Sequence, residues 1–168
     1  MKNIQYLGIA KTFPNGSKYF TETYFSDVLR IPDNCKDMNQ ILSSRASTQI
    51  LNTKLIKTPI KISNEGQNLQ GYKLLVELDF IQNITYLEYP FNYNYSIDNP
   101  VRYVTLKDTL KTIFIVLPSS INGESVESLI RKNQFRVNPY IENVSIQQIS
   151  NREFNSNIDL FIDVTFNI

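Results

Sequence analysis

The chain has 168 residues, 42% of them hydrophobic and 20% charged, a composition typical of one globular domain with a substantial core. Its 17 basic and 16 acidic side chains leave a net charge of +1, which argues against nucleic acid as a partner because nucleic-acid-binding domains carry a clustered basic excess. The sequence contains no histidine, the commonest general base and metal ligand, and its single cysteine, Cys35, cannot form a disulfide within the chain.

Residues 1–20 are predicted to form an N-terminal extension to a β domain that covers residues 21–168. The stretch IQYLGIA indicates a strand that either seals an edge of its own domain or is exchanged with an adjacent copy. Its candidate contact residues are Ile4, Tyr6, Leu7 and Ile9. The extension lacks an adequate apolar region for a signal peptide, and the longest apolar run, residues 113–117, is too short for a membrane span. We therefore expect synthesis in the cytoplasm and no membrane insertion.

Most of the remaining chain shows the period of two that is typical of strands. Residues 72–86 alternate most clearly, with an apolar face at the even positions and Lys73, Glu77 and Asp79 among the odd ones. Further strands are predicted at residues 47–58, 110–117, 141–149 and 158–166, and turns at Asn15-Gly16, Asn122-Gly123 and residues 150–153. Short helices are predicted at residues 37–43, with Asp37 as N-cap, and at residues 124–132. The pattern predicts an all-β antiparallel β-sandwich with one or two short helices.

Candidate catalytic groups are few. Glu77 and Asp79 share a strand face and are expected roughly 6–7 Å apart, near the carboxyl separation of glycosidases. A solvated strand face explains them equally well, and it also explains Asp159 and Asp163. Cys35 has no histidine to activate it, and no nucleotide-binding or metal-binding motif is present. We expect no enzyme, no catalytic residue, no cofactor and no bound metal.

An aromatic stripe at residues 89–95 is the most distinctive feature of the sequence. Tyr89, Phe91, Tyr93 and Tyr95 occupy alternate positions and would line one face of a strand. Such a row packs into a core, forms a protein interface where tyrosine is enriched, or stacks on a sugar or base. All three interpretations remain open at this point.

The order of several short phrases resembles the SPOCS domain of SipL-type spore coat morphogenetic proteins and their single-domain relatives. The phrases are SDVLRIPD (26–33), TKLIKTP (53–59), NEGQNLQGYKLLVEL (64–78), QNITYLE (82–88), DNP (98–100), FIVLP (114–118), VNPYIENVSIQQISNR (137–152) and NIDLFIDV (157–164). The resemblance implies a non-catalytic protein of the bacterial spore envelope, in the coat, exosporium or an appendage, that acts by protein–protein contacts and self-assembly.

The resemblance also implies partners and a location. The expected partners are further copies of the chain and spore coat morphogenetic proteins, and the expected route is synthesis in the mother cell followed by deposition on the spore surface. The residues 89–97 lengthen the chain relative to the family pattern, so the stripe is expected to be an added contact surface. The alternative is a glycan-binding module at the spore surface or cortex that uses the same stripe.

Overall fold

The computed structural model describes residues 4–62, 64, 66, 68–89, 100–107 and 110–167. Within these residues the chain is an all-β sandwich with one short helix, which confirms the predicted fold class. The elements are β1 (Gln5–Leu7), β2 (Phe20–Arg30), β3 (Met38–Ile62), β4 (Asn68–Glu88), β5 (Val101–Lys107), β6 (Lys111–Pro118), β7 (Ser120–Ile121), β8 (Glu124–Ser125), α1 (Val126–Arg131), β9 (Phe135–Gln148) and β10 (Glu153–Phe166).

Two sheets form the sandwich. The five-stranded sheet has the order β1-β3-β4-β5, and β6 also pairs with β4. The long strand β4 accommodates both neighbours because β6 pairs with residues 71–78 and β5 with residues 81–87. The three-stranded sheet has the order β2-β10-β9 and is antiparallel throughout. In the five-stranded sheet, β1 runs parallel to β3 and the other pairs are antiparallel.

The core lies between the sheets and follows the predicted alternation. The even positions of β4 from Leu74 to Tyr86 are buried, and so are the apolar even positions of β10 from Ile158 to Val164. Residues 74–80 of β4 and the β10 row meet in one apolar cluster, which also includes residues of β6, β9 and α1. Ile84 and Tyr86 of β4 belong to a second apolar cluster, with residues of β3, β5, β9 and β10. Gln82 is the polar member of the β4 row, and its amide donates a hydrogen bond to the buried hydroxyl of Ser156 on β10.

The predicted helix at residues 37–43 is wrong. Residues 38–43 begin β3, and Asp37, just before the strand, is not an N-cap but an acceptor for the guanidinium of Arg152. Met38 and Ile41 lie three positions apart, a helical spacing, yet both are buried in the strand. Register shifts between Met38 and Gln40 and between Ile41 and Ser43 reset the alternation, so residues three apart face the core.

The second helix and the turn before it follow the prediction. α1 covers Val126–Arg131 with Ser125 as N-cap, whose hydroxyl accepts a hydrogen bond from the Ser128 amide. The turn between β7 and β8 places Asn122 at φ 50° and Gly123 at φ 85°, so both central residues adopt the left-handed conformation that a tight hairpin requires.

The N-terminal segment joins the two sheets. β1 pairs with residues 43–45 of β3, and the chain then leaves β3 at Gly8, which has φ 90°. Two residues later, the Ala10 amide donates to the Ile141 carbonyl oxygen on β9 at 2.8 Å. Residues 5–10 therefore contact an edge of each sheet of their own chain.

Candidate interaction surfaces

The outer face of the three-stranded sheet carries a cluster of aromatic rings. Phe161 on β10 is its centre: the ring stacks on Phe20 with centroids 5.3 Å apart and contacts Phe13 and Tyr140 at 6.0 Å each. Tyr24 lies on the same face, opposite Asp159 in the strand register. We call these five residues the aromatic face.

The aromatic face is accessible to solvent at its margin. Phe161 is only 9% exposed, but Phe13, Phe20 and Tyr24 are 43%, 48% and 59% exposed. The outer face of a solvated antiparallel sheet is normally polar, so this group of rings is unusual for a surface that meets only water. The sequence did not predict the aromatic face because its residues come from four separate segments of the chain. One signal was present: Phe161 is an apolar residue at an outward position of β10, where a polar residue is expected.

Three carboxylates accompany the rings. Glu22 lies opposite Phe161 in the register, and Asp159 lies opposite Tyr24. Glu142 projects from β9, where the register shifts between Asp159 and Leu160. Burial raises the pKa of Glu142, and the negative charges of Glu22 and Asp159 raise it further. We call these three residues the acidic group.

The outer face of the five-stranded sheet has a different character. Lys73 and Leu75 alternate with the buried Leu74 and Val76 of β4 and therefore point outward. Phe114 on β6 is opposite Leu75 and is 48% exposed. The Lys73 ammonium lies 5.9 Å from the centroid of the Phe114 ring. On β5 the outward Tyr103 is 75% exposed.

Two basic residues of β3 share this outer face. Arg45 lies opposite Asn83 and Lys54 opposite Leu75 in the strand register, and both are exposed. Arg45, Lys54 and Lys73 form no ion pair with a carboxylate of the described residues. Lys54 and Lys73 lie beside Leu75, whereas Arg45 lies about 26 Å farther along the sheet, opposite Asn83. We call these three residues the basic group.

The predicted pair Glu77 and Asp79 does share the outer face of β4, but each carboxylate has its own partner. Glu77 accepts a hydrogen bond from the Asn52 amide at 3.0 Å. Asp79 is 4% exposed and lies 2.6 Å from the Lys107 ammonium. The expectation of a solvated Asp79 is therefore wrong, because β5 brings a lysine over it and excludes water.

Asp163 is also predicted to lie on a solvated strand face, but the structure buries it. It is 2% exposed, flanked in the register by Phe20 and Asn138, and its Oδ1 has no hydrogen-bond partner among the described residues. Together with residues 14–19 and 120–122 it lines a cavity of about 420 Å³. The Oδ1 atom itself is covered by protein, so the wall of the cavity does not present it to a ligand.

The N-terminal contact residues lie against their own domain. Tyr6 packs on both apolar clusters of the core, and its hydroxyl accepts a hydrogen bond from the Ile146 amide at 3.2 Å. Ile4 and Ile9 pack against the core from the same segment, and Leu7 pairs with Arg45. Of the two predicted roles, the structure shows the first: the N-terminal strand seals an edge of its own domain. Exchange of this strand with a second copy stays a prediction.

The aromatic stripe lies almost wholly outside the described residues. Tyr89 is described: it is 52% exposed, and its amide donates to the Asp37 carbonyl oxygen at 2.8 Å. Phe91, Tyr93 and Tyr95 fall in the range 90–99, which the structure does not describe. The stripe therefore stays a prediction, both as a protein interface and as a glycan platform.

Cys35 is a free thiol, half-buried beside the second apolar cluster. Among the described residues, no group of three or more His, Cys, Asp or Glu side chains is arranged to hold a metal ion. No helix in the described part of the chain is long and apolar enough to cross a membrane.

Comparison with known proteins leaves the chain without an assigned family. No family model matches the sequence, and neither a curated protein nor a solved structure matches it. The resemblance to the SPOCS domain accordingly stays a prediction from the short phrases that carry it.

Proposed function

We propose that the chain is a non-enzymatic structural or interaction protein of the bacterial spore envelope, which acts by protein–protein contacts and self-assembly. The observation that carries the proposal is the aromatic face, on which Phe13, Phe20 and Tyr24 are about half exposed on an outer sheet surface. Aromatic side chains of this kind are enriched at protein interfaces, where they bury a large area at low entropic cost. The resemblance to the SPOCS domain supports the spore envelope as the place of action.

The exposed strand β3 bears on the mode of contact. Beyond residue 45 the outer edge of β3 has no strand partner among the described residues. Lys54, Lys57 and Lys61 on this strand are exposed, and its register shifts again between Lys57 and Ile60. Lysines and bulges hinder edge-to-edge pairing. Contacts through the sheet faces therefore fit this chain better than addition of a strand at β3.

Two measurements test the proposal. Sedimentation velocity of the purified protein over a wide concentration range should show species larger than the monomer, and negative-stain images should show their form. Immunogold labelling of sporulating cells of the source bacterium, with an antibody against the protein, should mark the spore envelope. A protein that is monomeric at every concentration and absent from the envelope would contradict the proposal.

The aromatic stripe enters the proposal as a second contact surface. If it is an interface, Tyr93→Ser should leave the melting temperature of the monomer nearly unchanged and weaken self-association. If the ring is core, the same change should lower the free energy of unfolding by roughly 3 kcal/mol or more. Thermal melting at low concentration together with sedimentation separates these results.

A further inference from the structure

We propose that copies of this chain stack face to face, with the outer surface of the three-stranded sheet of one copy on the outer surface of the five-stranded sheet of the next. This inference rests on the proposed self-assembly and specifies its geometry. The occupant of each face is thus a second copy of the same chain, and the two faces that meet are different surfaces of the sandwich.

Charge complementarity is the first support. Burial raises the pKa of Glu142, and the negative charges of Glu22 and Asp159 lie close enough to raise it further. Clustered like charges destabilise a protein in isolation, and a cationic partner surface would relieve the repulsion. A bound metal ion is not the candidate here, because the described residues include no set of ligands with suitable geometry.

The required cationic surface is present on the opposite side of the same molecule. The basic group of Arg45, Lys54 and Lys73 lies on the outer face of the five-stranded sheet. Lys107 on this face is matched by Asp79, and the Glu77 carboxylate there accepts a hydrogen bond from the Asn52 amide, so the three basic residues outnumber the one carboxylate without a cationic partner.

The chain as a whole carries a net charge of only +1. The difference in charge between the two groups therefore comes from where the charged residues lie in the fold and not from an excess of one sign. Arg136 also lies exposed on the three-stranded face, opposite Thr165, so the opposite signs belong to the two groups and not to the whole faces. Opposed groups of opposite sign favour an ordered approach of two copies.

Both outer faces carry exposed aromatic side chains beside their charged groups. Phe114 and Tyr103 are exposed beside the basic group, as Phe20 and Tyr24 are beside the acidic group. Stable interfaces combine apolar or aromatic anchors with peripheral charges that orient the partners. Each outer face has this combination, whereas a sandwich that functions as an isolated monomer needs neither.

The geometry has a consequence for the size of the assembly. A contact between two different surfaces leaves one free face of each kind at the two ends of every oligomer. Such a heterologous contact continues to add subunits unless the rotation between neighbours closes a ring. Stacked sandwiches should therefore form open filaments or rings and not a symmetric dimer.

Charge reversal with mixing tests the inference in the full-length chain. The first variant, Glu22→Lys with Asp159→Lys, reverses the acidic group. The second, Arg45→Glu with Lys54→Glu, reverses the basic group. A control, Lys36→Glu with Arg131→Glu, makes the same change in charge as the second variant at exposed positions outside both groups. Circular dichroism and urea unfolding establish that each variant is folded before association is measured.

Each variant alone should require roughly tenfold or more protein to associate than the wild type, because it presents two faces of the same sign. The equimolar mixture of the two variants should recover association, since every basic face then finds an acidic one. The control should associate like the wild type, and rising salt should weaken association of the wild type.

Several results would overturn the inference. Wild-type association by either face variant alone, or a mixture that does not recover, would refute the stacking while leaving self-assembly itself in place. A closed symmetric dimer would refute it as well. A wild-type protein that never associates would refute both this inference and the proposed self-assembly, so the two failures are distinguishable. If either variant does not fold, Glu22→Gln and Lys54→Gln replace the reversals, and each should weaken association in the same direction.

Discussion

Gly8→Ala is expected to displace β1 from the five-stranded sheet. At this position φ is 90°, and a Cβ atom would lie 1.9 Å from the carbonyl oxygen of Ala46 and 3.0 Å from its carbonyl carbon. These are backbone atoms of a paired strand, so no side-chain rotation can relieve the overlap. The segment must move as a whole, and the pairing of residues 5–7 with β3 is lost with it.

The magnitude follows from two contributions. A residue with a side chain costs about 1–2 kcal/mol in the left-handed conformation. Movement of β1 also removes the hydroxyl of Tyr6 from the Ile146 amide, and an unpaired buried donor costs about 1–3 kcal/mol. We therefore expect Gly8→Ala to lower the free energy of unfolding by about 2–5 kcal/mol.

Urea unfolding with Gly16→Ala as the matched control measures this effect. Gly16 also has a positive φ, 71°, but a Cβ atom there meets no heavy atom within 4 Å. The control should therefore show the conformational cost alone, and Gly8→Ala should exceed it by at least about 1 kcal/mol. Hydrogen exchange should show faster opening near residues 43–45 in Gly8→Ala. Equal losses of stability in the two variants would refute the close approach of Gly8 to β3.

Three further predictions concern polar groups of the described residues. Ser156→Ala should cost about 1–3 kcal/mol in urea unfolding because it leaves the buried amide of Gln82 unpaired, and adding Gln82→Leu should recover part of the loss. Arg152→Lys should cost about 1–3 kcal/mol by thermal melting, since lysine cannot reproduce the guanidinium bonds to the backbone of residues 32–35. Glu142→Gln should stabilise the protein at neutral pH but not below about pH 4.5. The folded state raises the pKa of Glu142 above 4.5, so the contribution of Glu142 to stability falls as the pH rises from that value through the raised pKa.

Each of these three predictions would be contradicted by a specific result. A Ser156→Ala protein as stable as the wild type would show that the amide finds another partner. An unchanged melting temperature in Arg152→Lys would mean that the bonds to residues 32–35 contribute little. A Glu142→Gln variant whose stability parallels that of the wild type at every pH would contradict the charge repulsion within the acidic group.

The sequence by itself determined those features that depend on neighbouring residues only. The alternation of residues 72–86 identifies a strand with one buried face, because a period of two is a property of the local chain. Asn122-Gly123 identifies a tight hairpin because these residue types tolerate positive φ, and the apolar spacing of residues 126–130 identifies α1. From such elements the all-β sandwich could be predicted without knowledge of any contact between distant residues.

Only the tertiary structure decided the features that depend on pairing. Met38 and Ile41 follow a helical spacing, and it is the irregular pairing of β3 with β4 that buries both of them in a strand. Asp79 is buried beside the Lys107 ammonium because β5 pairs with the neighbouring part of β4. The aromatic face arises because β2, β9, β10 and the segment before β2 bring their rings onto one surface. Burial and surface clustering depend on which strands become neighbours, and periodicity along one strand carries no information about the side chains that its neighbours contribute.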